Sequence, residues 1–206
     1  MSSRRRRPRV LALGIALLTL PLAACGGSSD PAPAATSVPP GQYRVAVEQL
    51  PTGWRTSDTS GDDYRTTFCG VDMEPVAPVG FVHYRFAKGP LGPFLEQHVR
   101  SYAGSTAAEV VGAIQTALPG CRESEAAGDE DSPAVRFAVE PLSLSSVGAV
   151  GPDTVAWQQK AADGSGVTSD VVLTRRGTAV VLLVAYSLRD APDRDALTAA
   201  LAAVPQ

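Results

Sequence analysis

The chain has 206 residues, 44% of them hydrophobic and 19% charged, with 18 basic side chains against 21 acidic ones and a net charge of −3. Such a length and apolar fraction suffice for one domain with a real core. The acidic balance argues against nucleic acid or an anionic lipid surface as the main partner, because both require clustered Lys and Arg.

From the start of the chain, Arg4, Arg5, Arg6, Arg7 and Arg9 form a positive n-region, residues 10–20 an apolar run, and Pro21 opens a cleavage region, which together read as a signal peptide over 1–24. The apolar run is much shorter than the roughly 20 residues that span a bilayer, which favours a cleaved peptide over a signal anchor. Pro8 and Arg9 stand where twin-arginine export wants an aromatic or apolar residue, so the general secretory route fits better. Leu22-Ala23-Ala24-Cys25 has the pattern of a bacterial lipobox. Its small, uncharged approach lets an extended backbone enter a peptidase, Leu22 fills an apolar subsite, and the Cys25 thiol is the nucleophile that takes a diacylglyceryl group. The expected location is the extracytoplasmic face of the cell membrane, with a lipid anchor on Cys25. Cleavage removes five of the 18 basic residues and leaves 13 against 21 acidic ones, a net charge of −8. Residues 25–41 form a lipidated tether, GGSSDPAPAATSVPPG after the cysteine, with too little apolar bulk to repay ordering. At about 3.1 Å per residue it holds the domain on the order of 50 Å from the headgroups.

The domain spans 42–206. Tyr43, Val45 and Val47 alternate with polar or small residues and suggest a strand, after which Leu50-Pro51-Thr52-Gly53-Trp54 turns the chain and seats Trp54, read as a core plug in preference to a ligand platform. Residues 58–63 (DTSGDD) lack the alternating acids and closing Glu of a calcium loop and read as a solvated turn. Residues 81–88 are aromatic and β-branched and read as a strand. Residues 94–102 fit either a strand, with Leu95, Gln97 and Val99 on one face, or a helix; the strand is preferred because it closes a hairpin. Thr106 and Glu109 have capping-box spacing ahead of a helix whose Ala107, Val110, Val111, Ile114 and Leu118 share a face, and Pro119-Gly120 ends it. Residues 123–132 form an acidic loop and 134–139 a strand. Then 154–161, 167–175 and 178–188 make an antiparallel meander. In its last strand Val180, Leu182, Val184 and Tyr186 face one way and Val181, Leu183 and Ala185 the other, so it is central and covered on both sides. Pro192 opens the closing helix, with Leu197, Ala200, Leu201 and Val204 inward. The fold class is α+β, a twisted antiparallel sheet of about six strands flanked by two main helices.

With Cys25 committed to lipid, Cys69 and Cys121 are the two thiols left in an exported chain, so a disulfide between them is expected in preference to two buried thiols. Two cysteines without a nearby histidine pair do not make a zinc site, and neither metal nor cofactor is expected. No catalytic residues stand out: His83 and His98 are the only histidines, there is no Gly-x-Ser-x-Gly elbow, and Gly164-Ser165-Gly166 falls in a hairpin turn. His83, in a strand, reads as a satisfied polar residue before a ligand, and the chain is expected not to be an enzyme.

The order of Leu50-Pro51-Thr52-Gly53-Trp54, Cys69-Gly70, a strand, a helix ending at Leu118-Pro119-Gly120-Cys121, a hairpin centred on Thr174-Arg175-Arg176-Gly177 and a closing helix resembles the PknH-like extracellular sensor domain of actinobacterial lipoproteins and receptor kinases. The resemblance would cover about 43–204 and implies a sheet with flanking helices and a cleft for an unidentified ligand, with no catalytic residues. One disulfide stands here where the kinase domain has two. Two functions fit an anchored, acidic domain on a stalk: binding or sensing a small or lipidic ligand, or docking to an envelope protein. A deep apolar pocket would favour the first and a flat exposed apolar patch the second.

Overall fold

A computed structural model describes residues 37–58, 64–126, 134–149 and 151–206. The signal peptide, Cys25 and the tether as far as residue 36 lie outside them, as do 59–63 of the expected turn and 127–132 of the expected acidic loop. Among the described residues no helix is long and apolar enough to cross a membrane.

The strands are β1 (Arg55–Ser57), β2 (Thr67–Phe68), β3 (Val71–Asp72), β4 (Gly80–Ala87), β5 (Phe94–Ser101), β6 (Glu123–Ala126), β7 (Val135–Pro141), β8 (Thr154–Ala161), β9 (Thr168–Arg176) and β10 (Ala179–Ser187). Two α-helices, α1 (Thr106–Ala117) and α2 (Arg194–Ala203), complete the described elements apart from short 3-10 turns. Eight strands form one antiparallel sheet in the order β1-β4-β5-β10-β9-β8-β7-β6, and β2 and β3 pair as a separate hairpin. The sheet is therefore wider than the six strands expected. Its six inner strands correspond to the expected strands at 81–88, 94–102, 134–139, 154–161, 167–175 and 178–188. The additions are the edges, three residues of β1 and four of β6, and short polar edges resist pairing with other chains. The acidic stretch from Glu123 is thus in part a strand.

β10 lies fourth in the sheet, and both its faces are buried, as its sequence requires. On one face Val181, Leu183 and Ala185 pack with Leu95, Val99 and Val172 beneath the α2 stripe Ala196, Leu197, Ala200 and Leu201. On the other, Val180 and Leu182 pack with Leu173, Val155 and Val139 beneath the α1 stripe Ala107, Val110, Val111 and Ile114. α2 starts two residues after Pro192, because Asp193 is its cap and accepts a hydrogen bond from Ala196 N at 3.0 Å. α1 starts at Thr106, which puts Ser105 in the cap position. The expected capping box does not form: the Ser105 hydroxyl donates to Glu109 Oε1 at 2.5 Å and caps no backbone N–H.

The stretch through Tyr43, Val45 and Val47 is not a strand. Two 3-10 turns, Pro40–Tyr43 and Val47–Gln49, carry it across the α2 face of the sheet, with Pro40 fixing the first. Tyr43 and Val45 are still buried, and their backbone partners come from a side chain in place of a ladder. Gln97 Nε2 donates to Tyr43 O at 2.7 Å and Gln97 Oε1 accepts from Val45 N at 3.0 Å. Packing begins ahead of Gln42, since Val38 lies against this core and its carbonyl accepts from Ser101 Oγ at 2.8 Å. Gln97→Leu should therefore cost about 2 kcal/mol or more, because two buried backbone groups lose their partners while the apolar volume is kept. Urea denaturation checks this, and a cost under 0.5 kcal/mol would mean the segment is held by other contacts.

Candidate functional site

The α1 face of the sheet changes character across its width. Register aligns Arg85, Glu96, Val184, Val171 and Trp157 in one transverse row from β4 to β8, charged at one end and apolar at the other. The neighbouring row runs His83, His98, Leu182, Leu173, Val155 in the same sense. α1 covers only part of this face. Over the rest lies a cleft of about 420 Å³, with Glu96, His98, Val184, Val171, Trp157 and Phe137 among its floor residues, Arg65, Phe68 and Met73 opposite, and Asp163 and Ser165 of the β8–β9 turn beside it. That volume is in the range of small-molecule sites.

The polar end is built around Glu96. Its Oε1 accepts from the Tyr186 hydroxyl at 2.7 Å and lies 3.4 Å from Arg85 Nε, while Arg85 Nη2 donates to the same Tyr186 oxygen at 2.9 Å. Its Oε2 faces two imidazoles, His98 Nε2 at 3.5 Å and His83 Nε2 at 3.7 Å. The two rings, directly opposite in the β4–β5 register, stack at 4.0 Å with 13° between their planes. Burial alone would raise the Glu96 pKa, but the polar contacts from His83, His98 and Tyr186 outweigh it and hold the carboxyl well below its usual range. Burial first, and then the Glu96 charge, pushes the Tyr186 phenol up, so it remains a donor at neutral pH.

The apolar end is aromatic. Trp157 stacks on Phe68 at 4.2 Å, and the Arg65 guanidinium lies 4.1 Å above the Phe137 ring. Gln159 Oε1 accepts from Arg65 Nη1 at 3.3 Å and from Trp157 Nε1 at 3.4 Å, joining roof to floor. Arg65 is thus a cation beside an apolar wall, its pKa lowered by burial and partly restored by the Glu96 charge.

Two devices fix the segment that roofs the cleft. Buried Arg100 on β5 donates from Nε to Glu74 Oε2 at 3.0 Å, and its guanidinium sits 4.0 Å from the Tyr64 ring and 4.8 Å from that of Phe81. At the other end Cys69 and Cys121 form a disulfide that ties the β2–β3 turn to the end of α1. That two-residue turn is left-handed at both positions, Cys69 with φ 51° and Gly70 with φ 75°, the twist that short hairpins favour.

The structure joins Cys69 to Cys121, places Trp54 in the core on the α2 face, and puts Cys25 outside the described residues. Ser165 borders the cleft. The Glu96, His98, Tyr186 and Arg65 constellation was not among the residues expected from sequence. Its one legible signal is the hairpin: His83 and His98 stand at equal distances from the middle of the 88–93 turn, so pairing the two strands brings them together.

No family model matches the sequence, and no curated protein is similar to it. Among solved structures the chain is similar to the extracellular domain of PknH from Mycobacterium tuberculosis, with a TM-score of 0.42 and 12% sequence identity. The similarity covers 58% of this chain and 60% of that one.

Proposed function

We propose that this chain is a lipoprotein tethered through a lipid on Cys25 to the extracytoplasmic face of the membrane, whose domain binds or senses a small amphipathic molecule without transforming it. The observation that carries the reading is the polarised cleft. A ligand with an apolar body lies over Val184, Val171, Trp157 and Phe137, and its polar end meets Glu96, His98, Tyr186 and Arg65. The disulfide fits an oxidising compartment and the lipobox supplies the anchor. The mutual engagement of Glu96, Tyr186 and Arg85 supports the non-catalytic part of the reading, since it suits holding a ligand's polar end.

The test is a thermal-denaturation screen of residues 37–206 against single-chain fatty acids, lysolipids and cell-wall fragments, with each compound followed by mass spectrometry. A ligand at a hundred times its dissociation constant should add about 2.7 kcal/mol, several degrees in melting temperature. Val184→Trp, which fills the cleft, should abolish the shift. Turnover of a compound would overturn the non-catalytic reading. A second reading, docking to an envelope protein, rests on Val79 and Phe81, 60% and 55% exposed at the start of β4. Cross-linking through these two residues with no compound shifting the wild type would favour it.

A further inference from the structure

We propose that His83, Glu96 and His98 form a binding site for a divalent first-row transition metal, with Zn²⁺ as the ion that suits it best. The inference goes beyond ligand binding in the cleft and does not depend on it. The three residues each offer one ligand atom, and these atoms all lie within 4.8 Å of one another. Two of the separations are 3.5 and 3.7 Å, from Glu96 Oε2 to His98 Nε2 and to His83 Nε2. These are long for hydrogen bonds, which cluster at about 2.7–3.2 Å. They are close to the edge of a coordination tetrahedron, about 3.4 Å when metal–ligand bonds are about 2.0–2.1 Å, and binding would turn the two imidazoles out of their 13° stack so that both Nε2 lone pairs, which lie in the ring planes, meet at the ion.

The donor set and its support fit the same role. Two imidazoles and one carboxylate suit Zn²⁺ and its neighbours and do not suit Ca²⁺ or Mg²⁺, which take oxygen. The three side chains are only 6%, 13% and 3% exposed for His83, Glu96 and His98, so little water competes. Glu96 divides its work between its two oxygens. Oε1 takes the Tyr186 hydroxyl and the Arg85 guanidinium, which orient the carboxylate, and Oε2 is the atom turned toward both imidazoles. Such outer contacts orient the ligands of a metal and tune it. Arg85 is the opposing influence, a cation whose charge lowers affinity, but it approaches the oxygen that does not ligate. Glu96 and His98 also line the cleft, so a fourth position filled by water or by an anionic group of a cleft ligand would open into it. Three protein ligands with one open position is the arrangement of metal sites that exchange a ligand.

The test is titration of the full-length, chelator-stripped protein with Co²⁺, followed by its visible absorption, and then displacement with Zn²⁺. One equivalent of Co²⁺ should give the intense bands of low coordination number, and one equivalent of Zn²⁺ should remove them. His98→Gln and Glu96→Gln should each abolish the bands while circular dichroism shows the fold kept. Tyr186→Phe, which removes only an outer contact, should weaken binding roughly tenfold. A wild-type protein with no one-equivalent spectrum overturns the proposal whatever the variants do. So does a spectrum that persists unchanged in His98→Gln or Glu96→Gln, which would place the metal on other carboxylates.

Discussion

A Cys69→Ala/Cys121→Ala chain should unfold at a temperature on the order of 10 °C below the wild type. The disulfide closes a separation of 52 residues, and in the chain-entropy account a loop of that length stabilises the native state by roughly 4 kcal/mol. In a domain of this size each kcal/mol is worth about 2–4 °C. The loss has a local consequence as well. Cys69 sits at the tip of the β2–β3 hairpin, whose Phe68 stacks on Trp157 and whose following residue Met73 lies opposite the cleft floor. Freed from Cys121, the hairpin should open before the sheet does, so hydrogen exchange should quicken first at residues 67–73. Equal melting temperatures for the two proteins would show that the bond restrains nothing the core does not already hold.

Leu183→Ala should cost about 3–5 kcal/mol, the range for deleting a fully buried leucine from a site that cannot collapse. Leu183 is wholly inaccessible, on the face of the sheet that α2 and the Tyr43–Val45 segment both cover. β10 is hydrogen-bonded to β5 and β9 along its whole length, so the backbone is unable to close the gap. Leu183→Met, which conserves volume, should cost less than about 1.5 kcal/mol. Denaturant midpoints at constant slope measure both. A loss below 1 kcal/mol for the alanine variant would mean that this face of β10 is not packed as the fold requires.

The two faces of β10 were legible because both alternating sets of residues in 179–187 are apolar, a continuous run that suits a strand covered on both sides. The other inner strands were legible from their aromatic and β-branched content and from the turns that pair them. The edge strands were not: Arg-Thr-Ser and Glu-Ser-Glu-Ala have no apolar face, and only pairing with β4 and β7 makes them strands. The segment through Tyr43 and Val45 misled because its apolar alternation is real while its hydrogen bonds are supplied by Gln97, a distant side chain. The capping box at Thr106 failed by one residue, since spacing fixes a pattern but not where the first helical turn begins.

The candidate site was harder to read for a different physical reason. Its polar end is an effect of register, which sets Arg85 against Glu96 and His83 against His98, and its shape arises because α1 is too short to cover the face that Tyr186, Ser169 and Gln159 continue. Neither fact is carried by a motif. Arg65 and Gln159 meet across 94 residues, and Tyr186 and Glu96 across 90, so the constellation exists only once the sheet has closed.

The central claim is that an amphipathic molecule occupies the cleft on the α1 face, and the two tryptophans divide the sheet in a way that tests it. Trp157 lines the cleft, whereas Trp54 belongs to the core on the opposite face. Titrating a brominated fatty acid into Trp54→Phe and into wild type, with fluorescence as the readout, should give saturable quenching of Trp157 at one equivalent. The emission contributed by Trp54 should be unaffected. No quenching of Trp157 at any concentration below micelle formation, or quenching of both tryptophans in parallel without saturation, would contradict the account.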